Sequence, residues 1–143
     1  MASAHDVAKY ILRERSPLST VKLQKLVYYS QAWHLVWEDV PLFPERVEAW
    51  ANGPVVPALY NEHRGEFQRS SWKLGSIQNL TTAERRTIDT ILNFYGPKDA
   101  WYLSELTHRE APWVEARGGL PAGSRGSSEI STASMAEYYG SLV

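Results

Sequence analysis

The chain contains no cysteine, which excludes disulfides, thiolate metal sites and a cysteine nucleophile together. It also has no surplus of either charge. The 15 Lys and Arg stand against 16 Asp and Glu, for a formal net charge of −1. A nucleic-acid binder usually declares itself by a basic excess, so composition lends no support to one. No apolar run approaches the ~20 residues that a membrane-spanning helix needs. Residues 1–16 lack the charged, apolar and small-residue order of a signal peptide. A cytoplasmic protein with no membrane partner is the expectation.

Aromatic residues are what the chain has in abundance: six Trp and eight Tyr among 143 residues. Such rings fill cores, and they also anchor binding surfaces. At this length and 43% hydrophobic content the chain is read as one domain, 1–143, with a core of its own.

The pattern is mainly helical with a small β element. Ser3 caps a helix over 3–14, where Val7, Tyr10 and Ile11 recur at helical spacing. After a turn at 17–19, Ser19 or Thr20 caps the principal helix, near 20–38. Leu26, Tyr29, Trp33, Val36 and Trp37 share one arc of it. Ser30, Gln31, His34 and Glu38 lie on a more polar arc, which Leu23 and Val27 interrupt. A helix apolar on more than one side is wrapped by the rest of its domain, so this one is placed at the centre.

Val47, Ala49 and Ala51 alternate with Glu48, Trp50 and Asn52, which predicts a short strand or hairpin near 46–52. Asn52-Gly53 is a turn signal with positive φ expected at Gly53. Pro54 suits the first turn of a helix running to His63. Residues 64–80 read as loop with a second short strand. Thr81 and Glu84 form a capping box for a helix to Tyr95, which places Ile88, Ile91, Leu92 and Tyr95 inward. Asp99 caps a helix containing Trp101, Leu103 and Leu106, and Trp113 anchors a turn of helix over 111–117. Residues 118–128 read as a flexible loop. A last short helix begins at Ser131 or Thr132, with Met135 and Tyr139 one turn apart.

The catalytic signals are thin. His34 and Glu38 stand four apart on one helix face, a spacing that suits two metal ligands, but the H-E-x-x-H pattern is missing. An ordinary helical His–Glu contact explains the pair equally. No serine lies in a G-x-S-x-G elbow, and the glycines of 118–123 lack the Gly-Lys-Ser/Thr ending of a phosphate loop. Arg64, Arg69, Arg85 and Arg86 suggest a small basic surface or simply a solvated one. Trp50 is either a partner contact or a roof over the core.

Three segments carry a resemblance. The run from Leu23 to Leu35 contains Lys25, Tyr28, Trp33 and His34. Residues 41–60 contain Glu48-Ala49-Trp50, then Gly53-Pro54-Val55-Val56-Pro57 and Leu59-Tyr60. Residues 103–113 contain His108, Glu110 and Pro112-Trp113. In order and spacing they resemble the motifs of Panacea-domain proteins, the SocA-like antitoxin family. The motif positions Lys25, Tyr28, Trp33, His34, Trp50, Gly53, Pro54, Tyr60, His108 and Trp113 are read as scaffold or partner surface. No catalytic, cofactor or metal-binding residue comes with the resemblance.

The resemblance implies a compact helical domain that neutralises a cognate toxin by direct protein contact, as in type II toxin–antitoxin systems. The toxins of such systems include alarmone synthetases and other agents that attack translation. It also implies an alternative, a phage-linked regulatory adaptor that presents another protein to a cellular protease. A third reading, a metal-dependent enzyme built on His34, Glu38 and His108, rests on spacing alone.

Overall fold

The computed structural model describes residues 1–143. In chain order its elements are α1 (Ala4–Arg15), β1 (Leu18–Ser19), α2 (Thr20–Glu38), β2 (Val47–Trp50), β3 (Gly53–Val55), α3 (Pro57–His63) and β4 (Gln68–Arg69). A 3₁₀ turn (Ile77–Asn79) leads to α4 (Thr82–Tyr95), α5 (Ala100–Thr107), α6 (Ala111–Arg117), β5 (Glu129–Ile130) and α7 (Thr132–Gly140).

Helix α2 is the axis, and its own sequence makes it so. Every residue from Leu23 to Ala32 is buried, which leaves no face for water and demands neighbours all round. The Ser19 hydroxyl starts the helix by accepting the Lys22 N–H at 3.1 Å. Asp39, in the left-handed conformation at φ 60°, ends it. Around α2 pack α1, α4, α5, α7 and strand β3. Their apolar residues form one continuous core that runs from Ala2 to Tyr139.

The local signals act as read at most helix starts. Ser3 and Asp6 form a capping box on α1, Thr81 and Glu84 form one on α4, and Asp99 and Ser131 cap α5 and α7. Each cap supplies an acceptor to an N–H that the helix cannot satisfy itself.

Strand β2 is the centre of a three-stranded antiparallel sheet, with β3 on one side and β5 on the other. Val47 and Ala49 point inward, as their alternation predicts. Gly53 turns the hairpin at φ 119°. A second, two-stranded antiparallel pair joins β1 to β4.

Two expectations are corrected, at Pro54 and at Trp37. Pro54 does not open a helix; it lies in β3 opposite Ala49, and α3 begins at Pro57 instead. The strand tolerates Pro54 because Ala49 sends its N–H the other way, to Ser128 O at 2.8 Å, so nothing is asked of the proline nitrogen. The polar arc of α2 is buried with the rest of the helix, as a wrapped helix requires: Ser30, Gln31 and His34 are all buried, and only Glu38 is exposed. Trp37, placed on the apolar arc, is 43% exposed, and Trp101 in α5 is 72% exposed.

Tyrosine hydroxyls tie the middle of α2 to α6 and α7. Glu110, at the start of α6 and 6% exposed, accepts from Tyr29 at 2.7 Å and from Tyr139 at 2.8 Å through Oε1. Tyr139 spends its one proton there, so Tyr28 donates to Tyr139 across 3.0 Å. The Tyr29 ring stacks on Tyr95 of α4 at 4.1 Å between centroids. Burial pushes the Glu110 carboxyl above its ordinary pKa, and the two hydroxyl donors offset part of that rise.

Two substitutions test this network. Glu110→Ala strands two buried hydroxyls and is expected to cost about 2–4 kcal/mol in denaturant unfolding. Glu110→Gln keeps the shape without the charge. A carboxyl with a raised folded pKa stabilises below its unfolded value and loses that contribution as pH rises through the folded one. Glu110→Gln is therefore expected to gain on the wild type in melting temperature as pH rises from 4.5 toward neutrality.

Candidate functional site

The first half of α2, the β2–β3 hairpin and the end of α3 enclose a cleft of about 630 Å³, with Arg125 and Glu66 at its mouth. That volume falls within the range of small-molecule sites. Its walls are built by residues that the sequence places on three separate elements.

Lys25 forms the floor. One turn into α2, it is 1% exposed, and its Nζ makes a single hydrogen bond, donated to Pro54 O at 3.1 Å. Burial draws its pKa down to about 7, because water no longer solvates the ammonium. No carboxylate pairs with it. Its stem runs past Gly53, where a Cβ would meet Lys25 Cε at 2.6 Å and Thr107 Oγ1 at 2.9 Å. Gly53 is thus required twice, by its backbone angle and by the lysine lying over it.

Gln24, the neighbour of Lys25, fixes the wall. Its Oε1 accepts the Val56 N–H at 2.9 Å and its Nε2 donates to Val56 O at 3.3 Å. The same amide lies 3.0 Å from His63 Nε2. Burial lowers the His63 pKa, so the neutral ring is favoured. Trp50 and Tyr60, both half-buried, form an edge-to-face pair with centroids 4.8 Å apart. Trp50 Nε1 donates to Glu48 Oε1 at 2.8 Å, which sets the indole plane.

A second set of residues holds the hairpin from behind. Trp113 Nε1 donates to Trp50 O at 2.8 Å. His108 stacks on the Trp113 ring at 4.2 Å, and Arg117 lies over it with the guanidinium carbon 5.2 Å from the centroid. Arg117 also donates to Ala49 O, Pro121 O and Ser124 O, so residues 121–124 are fastened to the back of the strand.

The structure therefore gathers Lys25, Trp50, Gly53, Pro54, Tyr60, His108 and Trp113 around one hairpin. It places the other three motif positions elsewhere. Tyr28 belongs to the tyrosine network, and Trp33 Nε1 donates to Tyr95 OH at 3.0 Å. His34 Nδ1 lies 2.8 Å from Thr87 Oγ1 of α4, which occupies the nitrogen nearest that helix. Burial lowers its pKa. His34, Glu38 and His108 do not converge, and no three His, Asp or Glu side chains come together anywhere in the chain. The four arginines read as a basic surface include two engaged with rings: Arg69 over Trp72 and Arg85 over Tyr10.

Sequence reasoning missed Gln24, His63 and Arg117, and it met Glu110 only as part of a motif. One signal was available. A helix apolar on all sides must bury whatever polar residues it carries, and Gln24 and Gln31 then require backbone partners.

Gly53→Ala is expected to lower stability by about 2–4 kcal/mol in denaturant unfolding, from positive-φ strain and overpacking against Lys25. Lys25→Met removes an uncompensated buried charge and is expected to be at least as stable as the wild type at pH 7. The Lys25 pKa is lower in the folded chain than in the unfolded one, so the unfolded state binds more protons and wild-type stability rises with pH above about 7. Between pH 7 and 9 the wild type is expected to gain on Lys25→Met by up to about 1.4 kcal/mol per pH unit.

The model of the antitoxin SocA-like family, Panacea domain, matches residues 23–114. No curated protein and no solved structure matches the chain. The matched segment opens in α2, closes in α6 and contains both the cleft-lining lysine and the Trp113 brace. The chain belongs to the SocA-like antitoxin family, of which it carries the Panacea domain.

Proposed function

We propose that the protein is an antitoxin that neutralises a cognate toxin by direct protein–protein contact in the cytoplasm, by binding rather than by turnover. Family membership supports a toxin partner in general. The observation that carries the reading is a group of aromatic side chains left in water at the α4–α5 corner. Phe94 is 64% exposed, Trp101 72% and Tyr102 40%. Lys98 joins the first and last, its Nζ lying 5.9 Å from the Phe94 centroid and 4.8 Å from that of Tyr102. A fold that encloses Tyr28, Tyr29 and Tyr139 completely has no need to expose these rings for packing. Exposed aromatics on one corner, two of them bridged by a cation, suit the centre of an interface, where Trp and Tyr dominate binding energy. No helix is long and apolar enough to cross a membrane. The toxin is an enzyme that acts on translation or the nucleotide pool, of which an alarmone synthetase is one form.

Expression of the gene next to this one, alone and together with it, tests the proposal. Growth arrest by the neighbour, relieved on co-expression, is the expected result. A neighbour that is harmless, or that stays toxic, overturns it. The Phe94→Ala, Trp101→Ala double variant is expected to keep its stability within about 0.5 kcal/mol, because both rings lie on the surface. It is expected to lose at least ~30-fold in toxin affinity. An unchanged toxin half-life in the relieved cells marks inhibition by binding. A protease-dependent shortening marks the adaptor role instead.

A further inference from the structure

We propose that the cleft beside the β2–β3 hairpin is a receptor for a small-molecule carboxylate carried on a flat apolar body, with the Lys25 ammonium as its deep contact. The cleft is separate from the α4–α5 aromatics, and this assignment does not depend on the toxin reading.

Four observations converge on it. The first is an incomplete hydrogen-bond set. An ammonium has three N–H donors, and Lys25, 1% exposed, gives one of them to Pro54 O. Its remaining donors have no protein acceptor, although the residue lines a cleft that holds a ligand-sized volume. The second is the missing counter-ion. Buried charges in folded proteins are paired or neutralised, and no Asp or Glu lies within ion-pair distance of Lys25. A carboxylate in the cleft supplies both the charge and the acceptors.

The third is the wall. Trp50 and Tyr60 stand edge to face at 4.8 Å, and Val21 and Val55 complete an apolar lining. A flat ring fits such a wall, and a highly hydrated ligand does not. The fourth is the charge at the mouth. Arg125 and Glu66 both line the opening, so its two charges oppose each other. A single negative group near Lys25 is accommodated there. A di- or triphosphate would bring several negative charges to one lysine and place some of them beside Glu66.

The glycine at position 53 serves the same end. Without a side chain there, Lys25 lies flat along the hairpin and its nitrogen reaches Pro54 O. The lysine is thus held at the floor, and little ordering remains for the moment of binding.

Calorimetric titration of the 143-residue chain with indole-3-acetate and phenylacetate, followed also at the Trp50 indole N–H resonance by NMR, tests the assignment. Saturable binding of at least one acid is expected, with the matching amide at least 10-fold weaker. Lys25→Met, with its melting temperature shown to be undiminished, is expected to weaken the acid at least 10-fold and leave the amide unchanged. The acid–amide comparison uses wild-type protein, so it stands even if the variant folds poorly. Equal binding of acid and amide, equal binding to Lys25→Met, or no binding of either acid up to about 10 mM overturns the proposal. A short peptide ending in Phe with a free carboxylate forms a further arm. Binding of that peptide at least 10-fold tighter than the free acids would assign the cleft to a protein tail and also overturn the small-molecule assignment. Relief of toxicity by Lys25→Met is read independently, so the two proposals fail separately.

Discussion

The structure depends on one constraint: a helix buried on every side still carries Thr20, Gln24, Lys25, Ser30, Gln31 and His34, and each must find its partner inside the protein. Two of them shape the chain that follows. Gln31 accepts the Leu42 N–H at 2.7 Å and donates to Phe43 O at 2.8 Å. Gln24, seven residues earlier and so on the same side of the helix, grips Val56 in the same two-point manner. A glutamine amide used this way replaces a missing strand. It satisfies a buried backbone segment in both directions and dictates where the chain passes. The hairpin lies between these grips, so its position against α2 follows from two side chains of the helix. Ser30 returns its hydroxyl to Leu26 O, and Thr20 reaches Glu66 O. Lys25 is the member whose needs the fold leaves partly unmet, and the cleft is built around it.

The hairpin is held from both faces. On one side Lys25 and Gln24 reach Pro54 and Val56. On the other Trp113 and Arg117 reach Trp50 and Ala49. The cleft wall is therefore coupled to α6 and, through Glu110 at its start, to the tyrosine hydroxyls of α2 and α7. Aromatic residues divide into two populations. Tyr28, Tyr29, Tyr95 and Tyr139 are interior and joined by hydrogen bonds and stacking. Phe94, Trp101 and Tyr102 are outside. Their chemistry is alike, and what separates them is the face they occupy: Phe94 and Tyr95 are neighbours on α4, yet Tyr95 turns into the core and Phe94 turns out.

This division explains what was legible in the sequence. Helix starts were, because a cap is a local event: Ser19 and Thr81 act within three residues of themselves. The alternation of Val47 and Ala49 and the positive φ of Gly53 were legible for the same reason. Pro54 and Pro57 were not distinguishable, since either can begin a helix. The choice fell to Ala49, whose N–H turns toward Ser128, a residue far along the chain. The two-residue strands β1 and β5 carry too few side chains to show a period, whereas β4 falls within 64–80, where a second short strand is expected. Trp37 shares the apolar arc of α2 and is still exposed, because periodicity reports how residues are distributed, and burial is decided by what packs against them. The three motifs pointed to the family and to seven residues now seen around one hairpin. The cleft itself was hidden, because it needs the lack of a carboxylate near Lys25, and proximity is not written in one dimension.

The segment that defines the family runs from 23 to 114, and in this chain it is not a self-sufficient body. Helix α1 lies before it and α7 after it. Yet Val7, Ile11, Met135 and Tyr139 belong to the same core as Leu26 and Ile91, and β5 occupies one edge of the sheet. A fragment excised at the family boundaries would lay bare the flanks of α2 and leave Tyr28 and Glu110 without the phenol that joins them. The body that closes this core is thus larger than the segment that the family model marks.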